Sequence, residues 1–279
     1  MLPTESERRG RRIPRVLSIA GSDSGGGAGI QADLKAFARC AVHGMTAITA
    51  VTWQNTVGVD GVSQLPAEAI VGQVRAVVDD IGVDAVKIGM LGTVETIEAV
   101  DQALDLVHDA PVVLDPVMVA ESGASLLEPD AHAALVSSLF PRATVVTPNV
   151  DEARALTGMA AETSQDVEAL ARAVHRLGPR YVVVTGGHSG DLGGAAATDV
   201  FFDGERLVEI TGPVYRAGAA HGSGCTHSSV LAAQLALGHA PLEAAREAKR
   251  LASEAVRDGL EEIGAGVGPV DVLGIRSGD

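Results

Sequence analysis

The sequence predicts an α/β fold in which a mainly parallel β-sheet carries helices on both faces. Short apolar runs alternate with amphipathic segments along most of the chain, as successive βα units require. Hydrophobic residues make up 46% of the sequence but aromatic residues only 3%, which indicates an aliphatic core of helices packed on a buried sheet. Because 279 residues approach the upper size of a single core, we expect one domain over residues 15–279, after a solvated tail of residues 1–14.

Each predicted strand is a short apolar run that ends at a polar or glycine-rich turn. The first, residues 16–20, leads into a glycine loop, and the second, residues 45–53, is rich in Thr, Ile and Val. Further strands are predicted at residues 85–88, 112–114, 144–147 and 181–184. Two alternating runs, 198–202 and 206–210, flank Asp203 and Gly204 and predict a hairpin.

Helices are predicted between the strands, where apolar residues recur at helical spacing. The first carries Ile30, Leu34 and Phe37, and the second follows Pro66, a residue type favoured at helix starts. Further helices are predicted over residues 93–107, 130–139, 164–177, 223–237 and 242–260, and another begins near residue 150. In such right-handed βαβ arrangements, ligands bind at the carboxyl ends of the strands.

The composition argues against several classes of partner. The formal net charge is -15, whereas nucleic-acid binding needs a basic surface, and the basic run at residues 8–12 is interpreted as part of the tail. No apolar run reaches the ~18 residues of a membrane span. The two cysteines, Cys40 and Cys225, predict neither a disulfide framework nor a zinc site. We therefore expect a cytoplasmic protein that binds neither nucleic acid nor membrane.

The segment AAHGSGCTHSS, residues 219–229, is the most informative part of the sequence. Gly222 and Gly224 allow close backbone approach where a long helix begins, and the unpaired N–H groups of a helix start bind anions. The segment therefore predicts a phosphate site. Cys225 lies in the same turn, where a thiol pKa tends to fall, so that it could accept or hold a proton. The alternative is a glycine-rich turn followed by a buried cysteine.

A second glycine loop, residues 21–29, follows the first strand. It lacks the Lys-Ser/Thr pair of a P-loop and the glycine spacing of a dinucleotide fingerprint, so it does not predict the usual nucleotide site. Its glycines instead allow the chain to pass close to a small molecule, with Asp23 and Asp33 as available acceptors. Either acid could equally cap or solvate the following helix.

Asp115, Asn149 and Glu152 follow predicted strands and carry the oxygen atoms that a hydrated magnesium ion between phosphates prefers. Asn149 and Glu152 also have the spacing of a capping box, which is the structural alternative for that pair. Lys87 lies within an apolar strand, where we expect its stem to pack and its amine to reach solvent. No histidine has a partner that the sequence fixes, so a catalytic triad is unsupported.

Taken in order, the motifs resemble those of the hydroxymethylpyrimidine/phosphomethylpyrimidine kinases of thiamine biosynthesis, within the ribokinase-like group. The resemblance covers residues 15–262 and is carried by GSD at 21–23, GGGAGIQADLK at 25–35, QNT at 54–56, KIGML at 87–91, DPVM at 115–118, TPN at 147–149, GGH at 186–188 and HGSGCT at 221–226. It implies a ribokinase-like three-layer sandwich and two successive ATP-dependent phosphorylations, first of a hydroxymethyl group and then of the resulting monophosphate. It also implies a homodimer.

The resemblance also implies roles for individual residues. Gln54 would read the amino and ring nitrogens of the pyrimidine, since an amide offers both a donor and an acceptor. Asp33 and Met90 would help Gln54, and Gly21 and Val117 would complete the acceptor pocket. On the phosphate side, the anion hole would be formed by Gly222, Gly224 and Cys225. ATP would be contacted by Asn149, Thr185, Gly187 and Ser223. Mg²⁺ would be bound by Glu152 and Asp115.

The sequence departs from the family pattern at three places. Ser24 and Gly25 stand where Pro-Ser is common, and Ala219 and Ala220 replace a usual Asn-Thr. Thr185 stands where a lysine often precedes Gly-Gly-His, which leaves open how the nucleotide phosphates are neutralised. Two other functions stay open at this point: a pyridoxal or pyridoxine kinase, and a non-catalytic pyrimidine-binding protein.

Overall fold

The computed structural model describes residues 12–121, 123–160, 164–186, 196–215 and 219–276, with backbone only for residues 164, 165 and 196. The strands are β1 Arg15–Asp23, β2 His43–Gln54, β3 Val59–Gln64, β4 Ala85–Ile88, β5 Val112–Leu114, β6 Val145–Val146, β7 Tyr181–Val184, β8 Ala196–Phe202 and β9 Leu207–Pro213. The helices are α1 Gly29–Arg39, α2 Ala67–Asp80, α3 Val94–Leu104, α4 Ala131–Ala134, α5 Val150–Thr157, α6 Ser164–His175, α7 Ser223–Ala236 and α8 Pro241–Arg257. A π-helical turn, Leu135–Leu139, and a 3-10 turn, Phe140–Arg142, continue α4.

The strands form one sheet in the order β3-β2-β1-β4-β5-β6-β7-β8-β9. The strands from β2 to β7 in that order pair in parallel, whereas β3 at one edge and the β8–β9 hairpin at the other pair antiparallel. The predicted α/β fold with a mainly parallel sheet is confirmed. The chain winds to opposite sides of the boundary between β1 and β4, so a crevice is expected at the carboxyl ends of these two strands.

Two helical layers cover the sheet. Helices α1, α7 and α8 pack on one face, and α2 to α6 pack on the other. The alternation along β1 shows the division, because Val16 belongs to the core under α1 and α7 while Leu17 and Ile19 belong to the opposite core. Lys87 lies between Val86 and Ile88 of that opposite core and therefore points towards α1 and α7.

The structure adds one strand that the sequence analysis missed. β3 contains Gly61 and is mostly exposed, so it lacks the apolar pattern of a buried strand. It pairs with β2, and the ring of Trp53 lies against the position where Gly61 would carry a side chain. The assignment of residues 15–279 to a single domain stays a prediction. The described residues include no helix with the length and apolarity of a membrane span.

Candidate active site

A cavity of about 560 Å³ lies at the carboxyl ends of β1, β4 and β5. Its walls include Gly21 near the end of β1, Met90 after β4, and Asp115 and Val117 after β5. The first turn of α7 forms a further wall. This volume is within the range of small-molecule sites, so one cavity can hold an acceptor and part of a nucleotide.

The start of α7 has the geometry of an anion site. Gly222 caps the helix with φ of 83°, and a Cβ on it would overlap the Gly27 carbonyl oxygen, so only glycine fits this position. No side chain caps α7. The Ser223 N–H donates to the Ala220 carbonyl at 3.0 Å. The N–H groups of Gly224 and Cys225 remain available at a helix start that faces the cavity.

Cys225 does not have the lowered pKa that its position in the helix suggested. Burial raises the pKa of the thiol to about 12, Asp115 and Asp33 add to that effect, and Lys87 and the backbone N–H of Gly29 oppose it. Desolvation and two nearby carboxylates thus outweigh the helix dipole. At neutral pH the thiol of the free protein is protonated.

The two glycine loops are joined by a contact that the sequence analysis did not predict. Asp23 accepts hydrogen bonds from the backbone N–H groups of Gly25, Gly27 and Ala28, at 2.7, 3.0 and 2.8 Å. His221 Nε2 lies 3.1 Å from the same carboxylate. These contacts outweigh burial and lower the pKa of Asp23. Asp23 therefore organises the loop rather than serving as a free acceptor for a ligand.

Gln54, Met90, Gly21 and Val117, which the resemblance assigns to the acceptor, all line the cavity. Gln54 is the last residue of β2, and its Oε1 accepts a hydrogen bond of 3.2 Å from Thr52. A Cβ on Gly21 would lie 3.1 Å from the sulfur of Met90, so glycine keeps this floor open. Gln54 can therefore present a donor and an acceptor over an apolar floor.

Two expectations about this end of the cavity are wrong. Asp33 does not line the cavity, because it is fully buried and accepts hydrogen bonds from Ser18, Ser229 and Lys87. Lys87 does not reach solvent, because its ammonium forms a buried ion pair of 2.9 Å with Asp33. The sequence could not show that Asp33 is unavailable to a ligand, because only the fold places Lys87 opposite it.

The acidic residues lie where the magnesium prediction put them, on the cavity wall. Ser228 donates a 2.9 Å hydrogen bond to Asp115. Burial raises the pKa of Asp115, and burial together with the Asp115 charge raises that of Glu152 to about 8. Asn149 and Glu152 also form the capping box of α5, with reciprocal bonds of 2.8 and 2.9 Å, so the structural alternative is observed.

A third group, missed by the sequence analysis, lies on the side of the cavity formed by β8 and α8. Asp199 is buried, and its Oδ1 accepts hydrogen bonds from Lys249 at 2.7 Å and from the Gly186 N–H at 3.1 Å. His227 Nε2 lies 3.4 Å from Asp199 Oδ2. The helical spacing of Lys249 from Ala245 places it on the buried face of α8 and was a usable signal.

Thr185 also lies on this side and contributes to the cavity wall together with Asn149 and Ser223. The backbone N–H of Thr185 donates to the Pro148 carbonyl at 2.9 Å, which brings the ends of β6 and β7 together. Gly187, predicted at ATP, lies outside the described residues.

The fold and the site define a small-molecule kinase of the ribokinase-like type, with a helix-start anion site and an acceptor pocket in one cavity. A sequence model of the family described as phosphomethylpyrimidine kinase matches residues 23–271. The chain therefore belongs to the phosphomethylpyrimidine kinase family.

Individual relatives agree with this assignment. The hydroxymethylpyrimidine/phosphomethylpyrimidine kinase of Rhizobium meliloti is 49% identical over 91% of this chain and 95% of its own. Among solved structures, the Bacillus subtilis pyridoxal kinase in an ADP complex has a TM-score of 0.86 at 38% identity and covers 96% of this chain and 100% of its own. The phosphomethylpyrimidine kinase of Clostridium difficile has a TM-score of 0.76 at 39% identity, over 87% and 99% of the two chains.

Proposed function

We propose that this protein uses ATP to phosphorylate 4-amino-5-hydroxymethyl-2-methylpyrimidine, and then phosphorylates the monophosphate to the diphosphate, for thiamine biosynthesis. The observation that carries the proposal is that Gln54 and the start of α7 line the same cavity. An acceptor ring held by the amide can thus present its alcohol to a phosphoryl group held by the helix start. The names of the relatives support the same two reactions.

The acceptor end suits an aminopyrimidine. The Gln54 amide can accept from an exocyclic amino group and donate to a ring nitrogen, and Met90 offers an apolar surface for the ring. Gly21 and Val117 bound the same space. We therefore assign recognition of the ring to Gln54 and its fit to the apolar residues around it.

The phosphoryl group would be held by the N–H groups of Gly224 and Cys225. Phosphoryl transfer depends mainly on alignment and charge neutralisation, so a strong base is not required. The protonated thiol of Cys225 can donate a weak S–H hydrogen bond to an anionic oxygen or hold a proton that leaves the acceptor hydroxyl. Cys225 thus contributes by position rather than by prior ionisation.

The acidic residues fit Mg²⁺. The described residues contain no group of three or more His, Cys, Asp or Glu side chains suited to holding a metal, but Mg²⁺ in kinases is usually held by one or two carboxylates together with substrate phosphates. Burial raises the pKa of Asp115 and of Glu152, and the Asp115 charge adds to the shift of Glu152, so a divalent cation held there would favour both ionised forms. Mg²⁺ held there would neutralise the phosphates of ATP, and Asn149 would border them.

A pyridoxal kinase is the second candidate. The Staphylococcus aureus pyridoxal kinase, in complex with AMP-PCP and pyridoxal, has a TM-score of 0.84 at 35% identity and covers 94% of each chain. A hydroxymethyl group on a six-membered aromatic ring is common to both acceptors. A non-catalytic pyrimidine-binding protein is disfavoured because the anion site at Gly222 is intact.

Product analysis tests the proposal. The purified chain is incubated with ATP, Mg²⁺ and the hydroxymethylpyrimidine, and the products are separated by ion-exchange chromatography over time. We expect the monophosphate first and the diphosphate later. Accumulation of the monophosphate alone would remove the second reaction, and binding of the pyrimidine without any ATP consumption would support the non-catalytic candidate.

We further infer a cytoplasmic location, where ATP is supplied, and a homodimer. Size-exclusion chromatography with light scattering would test the homodimer.

A further inference from the structure

Lys87 is a buried cation beside the proposed active site that the reaction described above does not use. It is fully buried in the middle of the sheet, yet it contributes to the cavity wall. A Cβ on Gly89 would lie 2.8 Å from the Lys87 ammonium, so the side chain runs towards the carboxyl end of β4. The ammonium therefore lies on the cavity side of the sheet.

Asp33 holds this ammonium in one place. It accepts hydrogen bonds from Lys87 at 2.9 Å, from Ser18 at 2.6 Å and from Ser229 at 2.7 Å. Among the residues that the structure describes, Asp33 is the one hydrogen-bond partner of the Lys87 ammonium, which has three N–H groups. The carboxylate is fully engaged, whereas the ammonium keeps donor capacity.

The pair lies beneath the anion site. Cys225 and Ser229 are four residues apart in α7 and so occupy the same face of the helix. Ser229 holds Asp33, and Asp33 holds Lys87. The charged groups that act on the Cys225 thiol are Lys87 from β4, Asp115 after β5 and Asp33 from α1. Lys87 is the cation among them.

We propose that Lys87 is a positioning residue: held by Asp33, it fixes a positive charge under the start of α7 and stabilises the negative charge that the anion site receives. This inference rests on the proposed phosphoryl transfer. A fixed, desolvated charge acts more strongly than a solvated one and does not have to reorganise during the reaction. Gly89 is part of the arrangement, because a side chain there would displace the ammonium.

A positive charge at this point has a clear use in this chain. The cavity wall carries the carboxylates Asp115, Glu152 and Asp199. Lys87 and Lys249 are the lysines of the cavity wall, and Lys249 lies on the β8 side. Of the two, Lys87 is the lysine whose charge acts on the thiol of Cys225.

The test compares Lys87→Met with Lys87→Met/Asp33→Asn, because the single change leaves a buried carboxylate without its cation and can prevent folding. We expect kcat to fall by about 10- to 100-fold in the double variant, while the KM for acceptor and for ATP stays within about threefold of the wild type. Arg142→Met, which removes an exposed cation paired with Asp101, is the control and should keep wild-type kcat.

A second readout does not need turnover. In a Cys40→Ser background, the rate at which iodoacetamide alkylates Cys225 at one fixed alkaline pH should fall by about tenfold in Lys87→Met, because the thiolate loses its cation while the Asp33 charge remains. If Cys225 of the wild type is alkylated but the protein forms no phosphorylated product, the proposed function fails. The alkylation rates of the wild type and the Lys87 variant then still decide whether Lys87 acts on Cys225.

The inference is overturned if the double variant melts like the wild type and keeps wild-type kcat, or if a folded Lys87→Met alkylates at the wild-type rate. If the double variant does not fold, Gly89→Ala decides the matter. This variant retains every charge and crowds the ammonium at 2.8 Å, with a second close contact of 3.0 Å to Ala20 Cβ. We expect its kcat to fall with little change in the acceptor KM, and a wild-type kcat would contradict the inference.

Discussion

Two buried Lys-Asp pairs border the cavity, and they are built differently. On the acceptor side, Asp33 is surrounded by Lys87, Ser18 and Ser229, and each carboxylate oxygen has a hydrogen-bond donor. On the opposite side, Lys249 and the Gly186 N–H both bind Asp199 Oδ1. Asp199 Oδ2 faces His227 Nε2 at 3.4 Å without a well-formed hydrogen bond, and His227 Nδ1 has no hydrogen-bond partner among the described residues.

The difference indicates that the Asp33 side and the Asp199 side of the cavity have different functions. Buried polar atoms are nearly always paired, so a cluster of unpaired ones marks a place that a ligand or water completes. The Asp33 side is complete without a ligand and is therefore preorganised. The Asp199 side is less complete, which is consistent with the proposal that this side receives the nucleotide.

The largest effect is expected between the two sides, at Cys225. We expect Cys225→Ala to lower kcat by about tenfold or more, on the scale of lost anion-hole or proton-transfer groups, with the acceptor KM nearly unchanged. Steady-state kinetics measure both values, with Cys40→Ser as the matched control. An unchanged kcat would return Cys225 to the role of a buried structural residue.

At Lys249 we expect a tenfold change in the KM for ATP rather than in kcat. Because the Asp199 side is assigned to the nucleotide, Lys249→Met should raise the KM for ATP by about tenfold through loss of one charge-assisted contact, and leave the acceptor KM unchanged. Lys87→Met should show the opposite pattern, with a lower kcat and little change in KM. The comparison fails if both variants change the same parameter.

The acceptor end gives a smaller effect. Gln54→Ala should raise the acceptor KM by about five- to tenfold, because the ring nitrogens lose hydrogen bonds worth about 1 kcal/mol each. Calorimetric titration of the acceptor measures its affinity directly. An acceptor affinity equal to that of the wild type would remove Gln54 from ring recognition.

The smallest effect concerns stability and pH at Asp23. The contacts of Asp23 in the folded protein lower its pKa below the unfolded value of about 3.9, so its contribution to stability is present above that pH and is lost as the pH falls through the folded pKa. Asp23→Asn should therefore cost about 1 kcal/mol of unfolding free energy near neutral pH. The difference from the wild type should shrink in acid, as urea unfolding at two pH values will show. A pH-independent difference would exclude the charge as the cause.

The sequence predicted the parallel sheet and both helical layers, because those elements have strong apolar periodicity. It missed β3, whose glycine and exposed residues hide the pattern. The predicted anion site and acceptor residues come together on one cavity wall, since they follow neighbouring strands and one helix start.

The buried charges could not be predicted in the same way. Lys87 and Asp33 are 54 residues apart, and Ser229 follows Asp33 by 196. Only packing brings them together. The pKa of Cys225 was misjudged for a related reason, because helix position is visible in the sequence whereas burial beside Asp115 is not.

The most direct test of the central claim, that Gln54 and the start of α7 act on one acceptor, is ADP release measured side by side with hydroxymethylpyrimidine and pyridoxine. We predict a higher kcat/KM for the pyrimidine, and a selective loss of that preference in Gln54→Ala. A higher kcat/KM for pyridoxine in the wild-type protein would contradict the account.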